Sequence, residues 1–305
     1  MASSLSHAGN GIDRQTTLGA SLLAFLGVGC IAGGALIAAS VDVPPIATGF
    51  WRMALAGPMC LLVALRCGNG VPWRAMGPLM RGPHIWIAGV TFALTISLWY
   101  SGQRLSSIAS TSALHNLAPI MIVSLAWLIS GIAPRAVVIT GIASALTGAT
   151  LLTFHSGGLS DRALQGDLLA LASAATLAAY YSAIAKLSRG AGIWLIMAMV
   201  SIIAAPPLLL LSLAVETRVM PGTPGEWGAL AALAVLGQIM GQGLLAFAAR
   251  RLGALGISVA ALSEPAMAAL LAALLLGAPA YVAHVFGTAL VLIGVWFCRS
   301  GRQPA

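Results

Sequence analysis

The stretch LAPIMIVSLAWLISGIAPRAVVITGIASALTGA, residues 117–149, has a counterpart in SEPAMAALLAALLLGAPAYVAHVFGTALVLIGV, residues 263–295. Both stretches are mostly apolar, and a shift of 146 positions (265 − 119) superposes their distinctive residues. At that shift Pro119 falls on Pro265, and three glycines fall on three others: Gly131 on Gly277, Gly141 on Gly287 and Gly148 on Gly294. Upstream, Arg104 falls on Arg250 and Ser112 on Ser258. Matches of Pro, Gly and Arg at one shift indicate that the chain contains two copies of one structural unit.

The chain carries too little charge to coat a surface that faces water. Of its 305 residues, 59% are hydrophobic and 7% are charged, whereas a soluble domain has roughly a quarter charged residues. The net charge of +8 is scattered between apolar runs and forms no basic patch, so we expect no nucleic acid partner. The four cysteines form no CxxC pair, so we expect neither a disulfide framework nor a metal site. These features predict an all-α integral membrane protein.

Ten apolar segments are long enough to cross a bilayer, which takes roughly 20 residues per helix. The first five are residues 18–41, 44–65, 85–102, 108–129 and 136–154, and the last five are 168–185, 193–213, 227–248, 254–276 and 281–297. Together with the internal repeat, this predicts an N-terminal tail at 1–17 and two five-helix repeats at 18–154 and 168–298.

The positive charges predict the orientation of these helices. With the N-terminus in the cytoplasm, 11 of the 15 Lys and Arg residues lie in inner loops and tails, three lie outside, and Arg52 lies within a segment. This distribution follows the positive-inside rule and places both termini in the cytoplasm. Because each repeat has an odd number of helices, the second repeat is expected to be inverted relative to the first. Inverted repeats are a common feature of secondary transporters.

Three motifs resemble a known family. TGFWRMALAG (48–57) is similar to the family's second-helix pattern, LSEPAMAALLAALLLGAPAYVAHVFGTALVLIGV (262–295) to its last two helices, and residues 117–149 to the first-half counterpart. With two tandem five-helix repeats, the chain resembles the EamA branch of the drug/metabolite transporter superfamily. The resemblance implies a transporter. Known relatives export amino acids or metabolites and metallophores built from them, and others import vitamins such as riboflavin.

Glu264 is the only acidic residue within any predicted segment, about ten residues or roughly 15 Å from either end of its helix. A charge at mid-helix costs about 2.5–3.5 kcal/mol by insertion scales, so it usually faces a cavity or a partner. We interpret Glu264 either as a substrate contact or proton carrier, or as a structural anchor beside Pro265, which leaves a backbone carbonyl unpaired.

Other polar residues within the segments are candidates for the same site. Arg52 is expected to pair with Glu264, to bind a substrate carboxylate, or to extend toward the lipid headgroups. The motif TSALHNLAP (111–119) places Ser112, His115, Asn116 and Pro119 on one helix face, which predicts a cavity wall. Gln238 and Gln242, four residues apart, either line the pocket or bond between helices.

Aromatic, glycine and proline residues have a structural and a functional interpretation as well. Trp99 and Tyr100 fit an interfacial belt or a stacking surface at the cavity mouth. Tyr180 and Tyr181 lie deeper, and one of them is expected to face the interior. We assign structural roles to six further residues: Pro119, Pro265, Gly141, Gly148, Gly287 and Gly294.

The sequence as a whole predicts a secondary transporter of the bacterial inner membrane that works by alternating access. We expect export of a small amino acid or an amino-acid-derived metabolite, metallophores included. The alternatives are an importer of a vitamin or nucleotide-like solute and, in a different class, an intramembrane enzyme. Without a GxxxxGK[ST] loop we expect no nucleotide-driven pump and no cofactor. The expected partners are the bilayer and a small solute, with the protein a monomer or a homodimer.

Overall fold

A computed structural model of the chain describes residues 2–67, 72–106, 111, 114–131, 133, 135–153 and 161–276, and a few positions of the last segment (286, 289–290, 293–294 and 297). The described residues are helical throughout, with short connections and no strand. Ser112, Gly287 and most of the predicted tenth segment lie outside the described residues.

The helices have the following bounds. In the first half they are α1 (Ala2–Ser40), α2 (Pro45–Cys67), α3 (Pro72–Arg81), α4 (Pro83–Leu105), α5 (Ala118–Ser130) and α6 (Ala136–Thr153). In the second half they are α7 (Asp161–Leu187), α8 (Ile193–Val215), α9 (Pro224–Leu233), a π-helical stretch (Ala234–Gln242), α10 (Gly243–Ala261) and α11 (Glu264–Leu276). Helix α1 therefore includes residues that the sequence predicted as a polar tail.

Within the described residues, six helices are long and apolar enough to cross a bilayer, against ten predicted segments. Five of the six coincide with predicted segments, and the sixth runs continuously from Pro224 to Ala261. This run bends at Gly253, whose φ of 65° lies in the left-handed region that favours glycine. The bend falls between predicted segments eight and nine. Large apolar side chains such as Leu26, Leu128 and Leu210 are exposed, as expected for a surface that faces lipid.

The two halves pack on each other reciprocally. Helix α1 of the first half lies along the π-helical stretch and α10, while α7 of the second half lies along α4. Helices α2 and α8 pack together, so the second membrane-spanning helix of one half contacts the second helix of the other half. Such an exchange of partners is the pattern expected when a two-fold axis relates two repeats.

Both repeats contain a helix that is interrupted just before the repeated proline. Residues 114–115 are helical, 116–117 form a turn, and α5 begins at Ala118 with Pro119 in its first turn. In the second half, α10 ends at Ala261 and α11 begins at Glu264, followed by Pro265. Because proline has no N–H and restricts the preceding residue, it is well suited to the first turn of a helix and ill suited to its interior. The interruptions are therefore repeat-related.

Glycines allow the last described segment to approach α6 closely. A Cβ atom on Gly294 would collide with the carbonyl oxygen of Gly141 and lie 2.6 Å from the backbone nitrogen of Ala145. The Ser144 hydroxyl donates to the Leu290 carbonyl at 3.0 Å nearby. Gly148 is buried in α6. Small residues at such crossings permit the backbone contacts that hold membrane helices together.

Candidate functional site

A cavity of about 410 Å³ opens between the two halves. Its wall is formed by the end of α1, the start of α2, the end of α4 and the two interrupted helices. The polar and aromatic residues of this wall are Thr48, Trp99, Tyr100, Gln103, Arg104, His115, Asn116 and Glu264. Pockets that hold small solutes in proteins have volumes of roughly 300–1,000 Å³, so the cavity is large enough for one small molecule.

The two helix interruptions bring three polar residues to the cavity wall. His115 and Asn116 lie at the turn before α5, and both are buried. Glu264 is the first residue of α11 and is partly exposed to the cavity. Each α-helix concentrates positive potential at its N-terminal end. Glu264 places a carboxylate at that end of α11, whereas the side chain of Leu117, the residue before α5, makes no capping hydrogen bond.

An aromatic wall lies beside these groups. The indole of Trp99 stacks on the imidazole of His115 with ring centroids 4.5 Å apart and an angle of 12°. The Ser173 hydroxyl lies 2.8 Å from Nδ1 of His115 and donates to the Ala170 carbonyl at 2.6 Å. These contacts fix the imidazole against the indole. Within the described residues the buried Nε1 of Trp99 has no hydrogen-bond partner.

Arg52 lies outside the cavity wall. Its Nη2 atom donates to the Gly237 carbonyl at 3.0 Å and to the Gln238 side-chain oxygen at 3.2 Å. The guanidinium also lies 5.8 Å from the centre of the Phe92 ring, within cation–π range. Gly237 makes this possible, because a Cβ atom there would lie 3.2 Å from the guanidinium carbon.

Tyr180 and Gln242 form a second buried hydrogen-bonded pair, which shares the Phe92 ring with Arg52. The Tyr180 hydroxyl donates to the Gln242 side-chain oxygen at 3.1 Å, and its ring stacks on Phe92 at 4.5 Å. Both glutamines belong to the π-helical stretch, whose wider turn departs from the regular α-helix. All of these polar side chains are buried. We call Arg52, Tyr180, Gln238 and Gln242 the dry cluster.

The structure therefore divides the candidate residues predicted from sequence into two groups. Trp99, Tyr100, His115, Asn116 and Glu264 line the cavity, whereas the dry cluster does not appear in its wall. Between the described side chains of Arg52 and Glu264 there is no ion pair within 4.0 Å, although the two charges are near enough to interact electrostatically.

Sequence reasoning missed three polar residues of the cavity wall: Thr48, Gln103 and Arg104. Gln103 and Arg104 lie four residues after Trp99 and Tyr100, so they share the helix faces of those aromatics. That spacing was the available signal. Sequence reasoning also began the sixth segment, at residue 168, too late to include Asp167, which is part of α7 and accepts a hydrogen bond from Ser106 at 2.7 Å.

Comparison with known proteins supplies the family. No curated protein matches the chain. A solved structure titled "Crystal structure of protein" superposes on it with a TM-score of 0.76, covering 94% of this chain and 99% of that one at 20% sequence identity. At that identity the similarity shows a shared fold alone.

The family described as "EamA-like transporter family" matches the chain twice, over residues 18–154 and 164–299. The two matches span nearly the whole chain and follow its internal repeat. They agree with the apolar spans and with the cavity between the halves. The chain therefore belongs to the EamA-like transporter family and is a multi-pass membrane transporter.

Proposed function

We propose that the protein exports a small amino acid, or a metabolite derived from one, across the bacterial inner membrane by alternating access. In this proposal ten helices form two inverted repeats, with both termini in the cytoplasm. The reciprocal packing of the two halves supports the inversion, because α1 and α7 exchange equivalent partners. The distribution of Lys and Arg supports the orientation.

The observation that carries the proposal is the asymmetry between the two interrupted helices at the cavity. At the repeat shift Ala118 corresponds to Glu264, so one helix begins with an apolar residue and the other with a carboxylate. The N-terminal end of α5 retains its positive potential and has Asn116 beside it. The cavity therefore offers an anionic site and a cationic site to one solute.

A zwitterionic amino acid matches this arrangement. Its ammonium group would pair with Glu264, and its carboxylate would accept hydrogen bonds at the start of α5. Discontinuous helices bind substrate carboxylates through their N-terminal ends in other transporters. The Trp99–His115 stack supplies an apolar face for the side chain.

Counterflow in proteoliposomes tests the proposal directly. Vesicles that contain the purified protein and an unlabelled amino acid are diluted into the same labelled amino acid, across a panel of acidic, basic, aromatic and small apolar types. We expect saturable accumulation of label for at least one of them. Accumulation of vitamins or nucleotides alone would favour the import alternative, and chemical conversion without movement would favour an enzyme.

A second experiment tests the direction of transport. In bacterial cells that overproduce the protein, export predicts a higher extracellular concentration of the transported amino acid and tolerance to its dipeptide. The Glu264→Gln variant, produced at the same level, serves as the matched control. A lower extracellular concentration on overproduction would reverse the assigned direction.

A further inference from the structure

Arg250 fastens the connection between α7 and α8. Its Nε atom donates to the Ser188 carbonyl at 2.7 Å, and its Nη2 atom donates to the Ala191 carbonyl at 3.1 Å. These carbonyls follow directly on the end of α7. A cation at the C-terminal end of a helix is favoured because it meets unpaired carbonyls and the negative end of the helix dipole. The contact therefore ties α10 to the end of α7.

Arg104 is the counterpart of Arg250 at the repeat shift, and its surroundings differ. It is exposed and lies in the last turn of α4, where it lines the cavity together with Val41, Val43 and Pro45. Val41 and Val43 belong to the connection between α1 and α2, and Pro45 begins α2. This connection is the first-half equivalent of the one that Arg250 fastens. Among the described residues, the Arg104 side chain has no hydrogen bond or ion pair.

The two arginines lie at opposite ends of the helix bundle. Near Arg104, α4 meets the start of α7, because a Cβ atom on Gly102 would lie 2.8 Å from the Gly166 carbonyl oxygen. Arg250 contacts the other end of α7 at Ser188. The 22 residues between 166 and 188 correspond to about 33 Å of α-helix, roughly the thickness of a bilayer core.

We propose that Arg104 and Arg250 are alternating latches, one at each end of the bundle. In the form described here the Arg250 latch is closed and the Arg104 latch is held apart by the open cavity. When the cavity closes, Arg104 donates to carbonyls at the end of α1 and in the α1–α2 connection, as Arg250 does at the end of α7. Arg250 then releases its carbonyls, and the opposite end of the bundle opens.

The inference rests on the alternating access of the proposed function, because two repeat-related latches have a use only if the repeats exchange conformations. Each latch stabilises one of two forms of the same protein. Loss of Arg250 therefore favours the form with a closed cavity, and loss of Arg104 favours the form with an open cavity. When both arginines are lost, the two effects on the equilibrium cancel, because they act in opposite directions.

The rate at which a cavity cysteine reacts measures this equilibrium. The four native cysteines are replaced by alanine, and Ala38, which lines the cavity, is changed to cysteine. The purified protein is placed in lipid nanodiscs, where both faces meet a bulky, charged maleimide, so the readout depends on neither membrane orientation nor a known solute. The labelling rate is then compared among Arg250→Gln, Arg104→Gln and the double variant.

We expect Arg250→Gln to shift the equilibrium constant roughly tenfold toward the closed cavity, as loss of charge-assisted hydrogen bonds implies, and therefore to lower the labelling rate. Arg104→Gln is expected not to lower it, and Arg104→Gln added to Arg250→Gln is expected to restore the rate to near that of the parent. A labelling rate for Arg250→Gln equal to that of the parent, or a double variant as slow as Arg250→Gln alone, would overturn the proposal. The second outcome would leave Arg250 as a structural helix cap.

Arg250→Lys keeps the positive charge but has fewer hydrogen-bond donors. It is the test variant to use if Arg250→Gln does not fold. Its labelling rate is expected to fall between those of the parent and Arg250→Gln, and to rise again when Arg104→Gln is added. A rate that does not respond to Arg104→Gln in this background would also overturn the proposal. If the variants show these changes in labelling rate but the protein gives no amino acid counterflow, the result counts against the proposed substrate alone.

Discussion

The cavity wall and the dry cluster contain similar residue types but complete their hydrogen bonds differently. In the dry cluster the Arg52 guanidinium donates to Gln238 and the Tyr180 hydroxyl donates to Gln242, so side chains of α2 and α7 bond to the π-helical stretch. Among the described residues, Nε of Arg52 and Nε2 of Gln238 have no hydrogen-bond partner. At the cavity, Asn116 and Glu264 face open space at helix interruptions. We propose that the dry cluster holds the helices together and that the cavity wall contacts the solute.

This division predicts how each group responds to substitution. Changes in the dry cluster are expected to lower the free energy of unfolding with modest effects on transport by the folded protein. Changes in the cavity wall are expected to reduce transport with modest effects on unfolding. Each variant is therefore measured twice, by counterflow per folded molecule and by thermal unfolding in detergent.

Glu264→Gln is expected to have the largest effect. Loss of a charge-assisted contact costs about 1.5–3 kcal/mol, which corresponds to a reduction in kcat/KM for counterflow of up to about 100-fold. The amide retains the size of the side chain, so unfolding is expected to change little. The variant Glu226→Gln, in the first turn of α9, removes an ion pair to Arg218 away from the cavity; it is the matched control and is expected to transport normally.

The result for Glu264→Gln also separates two roles of the carboxylate. Transport at parental rates over a full pH range would exclude both a substrate contact and a proton carrier. It would place Glu264 with the dry cluster as a structural residue. A loss of stability with unchanged counterflow would lead to the same conclusion.

Arg52→Ala is expected to have the next largest effect, on stability. The substitution leaves the Gly237 carbonyl and the Gln238 side-chain oxygen without their donor, and a buried polar group left unpaired costs about 2 kcal/mol. We therefore expect a lower melting temperature and counterflow per folded molecule within a few-fold of the parent. A large loss of counterflow at unchanged melting temperature would instead make Arg52 a substrate contact.

Trp99→Ala is expected to act on binding. It removes the stacking surface over His115, and aromatic contacts of this kind contribute about 0.5–1.5 kcal/mol beyond their buried area, which predicts a rise in KM of up to about tenfold. Trp194→Ala is the control, because Trp194 packs edge-on against Phe247 and is not part of the cavity wall. An equal rise in KM for both variants would indicate a general packing defect.

The helical class, most of the long apolar helices and the family were predictable from the sequence. Apolar runs of bilayer length and repeated prolines are local signals, so they can be recognised without knowledge of the tertiary structure. The sequence predicted continuous segments through Pro119 and Pro265, whereas the structure has a helix interruption just before each of them. Five of the candidate residues also share one cavity wall.

The division between cavity and dry cluster was not predictable from sequence. Gln238 and Asn116 both lie within apolar segments, and hydropathy does not distinguish a side chain that bonds across helices from one that faces a cavity. The difference depends on which residue lies opposite, as Arg52 lies opposite Gln238 although 186 positions separate them. The π-helical stretch that carries both glutamines also has no signature in residue spacing.

Tyr180→Phe is expected to have the smallest effect and gives the finest test of the dry cluster. It removes one hydrogen bond, to the Gln242 side-chain oxygen, and keeps the ring that stacks on Phe92, so we expect a loss of about 1 kcal/mol of stability. The neighbouring Tyr181→Phe is the matched control, since its ring is equally buried and no hydrogen bond is found for its hydroxyl among the described residues. If Tyr180→Phe reduced counterflow while both variants kept parental stability, the hydroxyl would act on the solute. The dry cluster would then open to the cavity during transport.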